Sequence, residues 1–162
     1  MEKSTTRKEN LQLIGIQVRT NNSLEMDPST GKIGPAVQTY FHQGLAEKIP
    51  HRKHPGTTLC AYTDYESDHT GDYTYFIGEE VTSLNEVPEG LTTLIIPAQT
   101  YTKFTNGPGT MPDVVREPWM KIWEMSSDEL GGTRSYITDF EVYDSRAADH
   151  SNVVLDIYIG LN

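Results

Sequence analysis

Two short segments, Tyr75-Phe-Ile-Gly78 and Ile157-Tyr-Ile-Gly160, lie 82 residues apart, and the centres of two helix-like stretches, Phe41 and Trp123, are separated by the same 82 residues. A fixed period constrains a fold more tightly than any single motif. Each copy must be one supersecondary unit, too short to bury its own apolar face and so obliged to pack against the other. The order of elements repeats as well. Residues 13–19 read as a strand, and residues 33–48 as a helix with Ile33, Val37, Tyr40, Phe41 and Leu45 at helical spacing. Gly34-Pro35 marks the start of that helix and Pro50 its end. Residues 58–65 and 73–81 read as strands around an acidic loop.

In the second half, residues 91–104 are strand-like with Pro97 at a bend or an edge, and Asn106-Gly-Pro-Gly109 reads as a turn. A helix over 112–125 carries Val115, Trp119 and either Ile122 or Trp123 on one stripe, followed by strands over 136–144 and 153–161. Pro118 predicts either a kink in that helix or a fresh start at its first position. The pattern predicts an α+β fold of two β-α-β-β units, about 11–82 and about 91–161, related by a pseudo-two-fold. An antiparallel sheet would carry two main helices, with a ligand groove between them. Residues 1–10 are polar and are expected to form a flexible arm.

Composition narrows the function classes. At 162 residues one domain can bury enough surface to need no disulfide or metal staple. The net charge of −10 and the lack of a basic stripe argue against nucleic acid, whose phosphates must be neutralised by Lys and Arg. Acidity favours cationic ligands through long-range attraction, although charge by itself reads more simply as solubility. The one cysteine, Cys60, sits in an apolar-flanked strand and reads as structural, with no activating base in sequence view. No signal-like apolar segment and no membrane-length run occur, so a cytoplasmic protein without membrane partners is expected. His51-x-x-His54 lacks further zinc ligands. Asp64-x-Glu66-x-Asp68 lacks the glycine and the final acidic residue of a calcium loop, with Tyr75 standing where the latter belongs. No Gly-x-Ser-x-Gly nucleophile elbow occurs. No metal and no cofactor are expected.

The Trp119-x-x-x-Trp123 helix, the Asp139-Phe-Glu-Val-Tyr143 strand and the closing Val153-Val-Leu-Asp-Ile-Tyr-Ile-Gly160 strand together resemble the GyrI-like small-molecule-binding family. That family includes effector-binding domains of AraC-type and MerR-type multidrug-sensing regulators and stand-alone proteins, some of them integron-cassette-encoded. The resemblance runs from about residue 11 to the C-terminus. It implies a groove lined by aromatics around one carboxylate, which falls on Glu141, and a pocket aromatic on the last strand, Tyr158. Trp119, Trp123, Tyr62, Tyr75 and Phe41 are the further candidates, each equally readable as core.

The leading expectation is a stand-alone effector-binding protein for hydrophobic, cationic aromatic small molecules. One alternative is a hydrolase of strained electrophilic natural products, with Glu141 positioning a water as general base. A weaker one is a protein–protein inhibitor, and a protein partner or homodimer is left open. The regulators that the chain resembles carry a DNA-binding domain, whereas about ten polar residues precede the first expected strand here. Direct nucleic-acid binding is therefore not expected. Titration with duplex DNA at physiological salt should show no affinity near about micromolar, and a normal salt-dependent isotherm in that range would contradict the charge argument.

Overall fold

The computed structural model describes all 162 residues. Eight strands form one antiparallel sheet: β1 (Glu2–Lys8), β2 (Leu11–Thr20), β3 (Thr58–Thr63), β4 (Tyr73–Glu80), β5 (Thr92–Ile96), β6 (Gln99–Gly109), β7 (Thr138–Tyr143) and β8 (Val153–Leu161). Four helices complete the chain: α1 (Asn22–Glu25), α2 (Ile33–His42), α3 (Asp113–Glu124) and α4 (Ser127–Leu130). The strand order β1-β6-β8-β7-β3-β4-β2-β5 is symmetric about the β7–β3 pair, so β2, β3 and β4 correspond to β6, β7 and β8. This is the expected α+β arrangement of two β-α-β-β units.

The outer strands close the sheet on itself. β1 pairs with β6 and β5 with β2, so each half lends its first strand to the other. From Glu2↔Thr105 through Lys8↔Gln99 and on from Leu11↔Ile96 to Gly15↔Thr92, the register does not shift. Only Glu9 and Asn10 separate β1 from β2. Three Cα–Cα steps reach about 11 Å. In a flat sheet the six strand spacings between these two strands would place them about 29 Å apart. The sheet must therefore curl until its two ends meet. The Asn10 side chain accepts a bond from the Ala98 amide across the junction, at 2.8 Å.

Side-chain alternation then gives the two faces separate jobs. Leu13, Ala61, Phe76, Tyr101, Phe140 and Tyr158 fill the inner face as one core shared by both halves. The outer face carries the helices. Tyr40 of α2 packs with Ile14, Tyr75 and Ile77, and Trp119 and Ile122 of α3 pack with Phe104, Ile157 and Ile159.

Several local expectations are corrected. Residues 2–8 are the paired strand β1 and not a flexible arm. Its side chains are mostly exposed, so it carries no apolar alternation for a sequence reading to detect; backbone pairing holds it. The strand expected over 91–104 is two strands, broken at Pro97-Ala98. The expected turn at 106–109 is the bulged end of β6, where the register against β8 shifts between Asn106 and Gly109. α2 stops at His42, and left-handed Gly44 leads into a separate short turn at Leu45–Lys48. α3 runs through Pro118 rather than starting there, with Pro118 buried inside the helix.

Gly15 and Gly78 face each other across β2 and β4. A Cβ on Gly15 would fall on the Ile77 carbonyl, and one on Gly78 would fall on the Ile14 carbonyl. Gly78→Ala and Gly15→Ala should each cost roughly 3 kcal/mol, the upper end for overpacking. Gly34→Ala, with open space around it on α2, should be neutral or stabilising by about 0.5 kcal/mol. Denaturant midpoints at unchanged slope check all three.

Candidate functional site

β7 alternates cleanly. Thr138, Phe140 and Val142 face inward, while Asp139, Glu141 and Tyr143 face the helix side. Cys60 on β3 and Tyr75 on β4 share that outer face with Glu141, Cys60 being its direct cross-strand neighbour. α3 drops Trp119 onto the same spot. The space between α2 and α3, floored by β3, β4 and β7, is a groove of about 1320 Å³.

Glu141 lies at the bottom of this groove, 2% exposed. Its Oε2 accepts bonds from the Tyr62 hydroxyl and the Trp119 indole Nε1–H, both at 2.7 Å, and its Oε1 accepts from the Tyr143 hydroxyl at 2.7 Å. All three donors are neutral, and no cationic side chain pairs with this carboxylate. Tyr62 also meets Trp119 at 5.0 Å, Tyr75 at 5.4 Å and Tyr73 at 5.5 Å between ring centres. The carboxylate thus sits within a wall of aromatic rings.

Burial raises the Glu141 pKa, and the bonds from Tyr143, Tyr62 and Trp119 oppose that rise without cancelling it. Burial, with the Glu141 charge added, pushes the Tyr62 and Tyr143 hydroxyls well up, so both stay protonated donors. The same causes push the Cys60 thiol up, which rules it out as a thiolate nucleophile at neutral pH. No group of three or more His, Cys, Asp or Glu side chains gathers as a metal site.

Of the residues singled out from sequence, Glu141, Trp119, Trp123, Tyr62, Tyr75 and Phe41 line this one groove. Phe41 stands at its rim, 55% exposed. Tyr158 does not belong. It is paired with Phe140, one residue from Glu141, and therefore points to the inner face, where the two rings stack at 4.6 Å. Ile157 and Ile159 are the outward residues of that strand.

Sequence reasoning missed Tyr143, Tyr65, His69, Arg134 and Asp139. Tyr143 was reachable, since it lies two residues from Glu141 on the same strand. His69 was not, because only the fold brings its loop to stack on Trp123, 6.1 Å away and tilted by 9°.

The two-fold is broken at the floor of the groove. The Ala61↔Phe76 pair of β3–β4 corresponds to the Phe140↔Tyr158 pair of β7–β8, and Ala61 and Phe140 also pair with each other. By that correspondence Cys60 matches Asp139, and Tyr62 matches Glu141. The first half supplies neutral groups where the second supplies two acids.

A carboxylate that holds its proton more tightly in the folded chain contributes stability below its ordinary value of 4.5, and that contribution is lost as pH rises through the raised value. Glu141→Gln removes the ionised form. Its amide oxygen can keep two donors while the Tyr143 hydroxyl turns to accept from the amide nitrogen. At pH 7 the variant should melt about 2–4 °C higher, equivalent to about 1 kcal/mol, and the advantage should vanish below pH 4.5. Thermal melts across pH check the sign.

Comparison with known proteins agrees with this geometry. Residues 6–161 match the family model described as Cass2, integron-associated effector binding protein. YobU of Bacillus subtilis strain 168, described as a candidate transcriptional regulator, is 26% identical over 147 residues, spanning 91% of this chain and 89% of its own. An integron cassette protein from the mobile metagenome of Vibrio cholerae superposes with a TM-score of 0.77 at 25% identity, over 99% of this chain and 95% of that one. SAV2435, solved bound to tetraphenylphosphonium, superposes with a TM-score of 0.79 at 16% identity, over 100% of this chain and 94% of that one. The curled sheet, the paired helices and this coverage place the chain in the family of integron-associated effector binding proteins.

Proposed function

We propose that this chain is a receptor or sequestering protein for hydrophobic aromatic cations. The observation that carries the reading is Glu141: a buried carboxylate with three neutral donors and no protein cation. An ionised carboxylate in a water-poor pocket is costly unless a positive charge compensates it. A cationic ligand supplies that charge, and the faces of Tyr62, Trp119 and Tyr75 attract it further through their ring quadrupoles. The tetraphenylphosphonium bound to SAV2435 is a cation of this kind in a protein of the same fold, which supports the reading. So does the groove volume, about 1320 Å³, which is ample for a multi-ring ligand. Apolar area supplies most of the affinity and Glu141 selects the charge.

Calorimetry with a matched cationic and neutral aromatic pair tests this. Glu141→Gln should weaken the cation by about 1–3 kcal/mol and leave the neutral ligand nearly unchanged. With wild-type protein, cation affinity should fall as pH drops through the raised Glu141 value, because protons compete with the ligand. Equal losses for both ligands would make Glu141 a shape determinant only. The raised Glu141 pKa also favours the hydrolytic alternative, since it suits a general base. Catalytic turnover of a strained electrophile, abolished by Glu141→Gln, would establish that reading instead.

A further inference from the structure

Glu141 is not the only buried acid on the outer face of β7. Asp139, two residues earlier on the same face of β7, is fully buried. It accepts the Tyr65 hydroxyl at 2.6 Å and the Gly160 amide at 2.8 Å. Unlike Glu141 it has a protein cation: the Arg134 guanidinium bonds its Oδ2 at 2.8 Å, with the Arg134 side chain 8% exposed. That guanidinium is surrounded by aromatic faces, 4.4 Å from the centre of Tyr136 and 5.8 Å from those of Tyr65 and Trp119. Its Nε has no partner, so Asp139, the Tyr65 hydroxyl at 3.4 Å and the rings are what hold it.

The two acids are thus served by parallel sets of groups. Each has tyrosine hydroxyls or amides as neutral donors and aromatic rings beside it, and Trp119 belongs to both. It donates its indole N–H to Glu141 and presents its ring to Arg134. The difference is that one cage is filled by the protein's own cation.

The filling is built into the chain path. Arg134 lies in the segment after left-handed Gly131, and that segment is stitched to the end of β8 by Ser135 N–H to Gly160 O at 2.8 Å and Asn162 N–H to Thr133 O at 2.8 Å.

Resting on the function proposed above, we infer that Arg134 is a resident surrogate ligand that occupies a second cation cage and restricts the groove to ligands bearing one positive charge. Asp139 and Arg134 cancel, so the floor presents a net single negative charge at Glu141. A second cationic group placed about two strand residues away, about 7 Å, meets a guanidinium that already fills the space and repels it.

The test uses two probes on one skeleton: (4-methylbenzyl)trimethylammonium, with one charge, and 1,4-bis(trimethylammoniomethyl)benzene, with two. Wild-type protein should bind the monocation at least tenfold more tightly by calorimetry. Arg134→Ala empties the cage and exposes Asp139, and should reverse the order by at least tenfold in favour of the dication. Arg134→Lys keeps the charge and should keep the wild-type order. Arg134→Ala combined with Asp139→Asn removes both charges without stranding a buried acid, and its preference should fall between the two.

The wild-type order in Arg134→Ala overturns the inference. If that variant does not fold in thermal melts, the double variant decides: a retained wild-type ratio overturns the inference, and a reduced one supports it. Monocation binding by wild type that is lost in Glu141→Gln keeps the broader receptor reading intact whatever Arg134 does. Failure of wild type to bind either probe overturns both.

Discussion

The pairing of residues 2–15 with residues 92–105 in one unbroken register holds the two halves of the chain together. Each half gives its first strand to the other, and two-residue links force the sheet to curl. Curling encloses one face as a single core, with Phe76, Tyr101, Phe140 and Tyr158 meeting inside. The other face becomes convex and must be covered by helices. Because α2 and α3 come from symmetric units, they lie on opposite sides of the β3–β7 seam, over which Trp119 of α3 reaches to Glu141. The groove is what remains between two helices that each serve their own half.

A groove made by symmetry would have symmetric walls, and this one does not. The residues equivalent to Cys60 and Tyr62 are Asp139 and Glu141. Burying two acids two residues apart on one strand would be prohibitive if both were left bare. The chain neutralises one with Arg134 and leaves the other with hydroxyl and indole donors. The excess acidity over the whole chain, a net −10, adds a long-range field that draws cations toward the surface. In the proposed function, selectivity rests on short-range groups, where a carboxylate and aromatic faces act at low dielectric.

The rim is different in character from the floor. Met26, Phe41 and Met120 are exposed apolar side chains around the mouth of the groove. Methionine is flexible and polarisable, and adapts to irregular apolar shapes. A hydrogen-bonded floor beneath a compliant apolar rim is the arrangement that the proposed function requires, since the rim can adapt to ligands of different outline.

Much of this was legible in the chain itself. The 82-residue spacing, combined with the repeated strand–helix–strand–strand order, pointed to the α+β class and the two-unit arrangement. The family resemblance of the Asp139–Tyr143 strand marked Glu141; the pattern alone, an acid between Phe140 and Val142, fits a solvent-facing strand position as well as a pocket. What the sequence could not decide was register and long-range pairing. A one-residue choice of face separates Ile157 from Tyr158, and only the Phe140↔Tyr158 pairing sends Tyr158 inward. β1 carries no apolar pattern, since an exposed edge strand is held by backbone bonds that leave no trace in side-chain chemistry. Arg134 and Asp139 are five residues apart, but their pairing depends on Tyr65, Tyr136 and Trp119 converging from separate elements. Local composition specified which groups were present; the tertiary fold decided which acid kept a partner and which was left to find one.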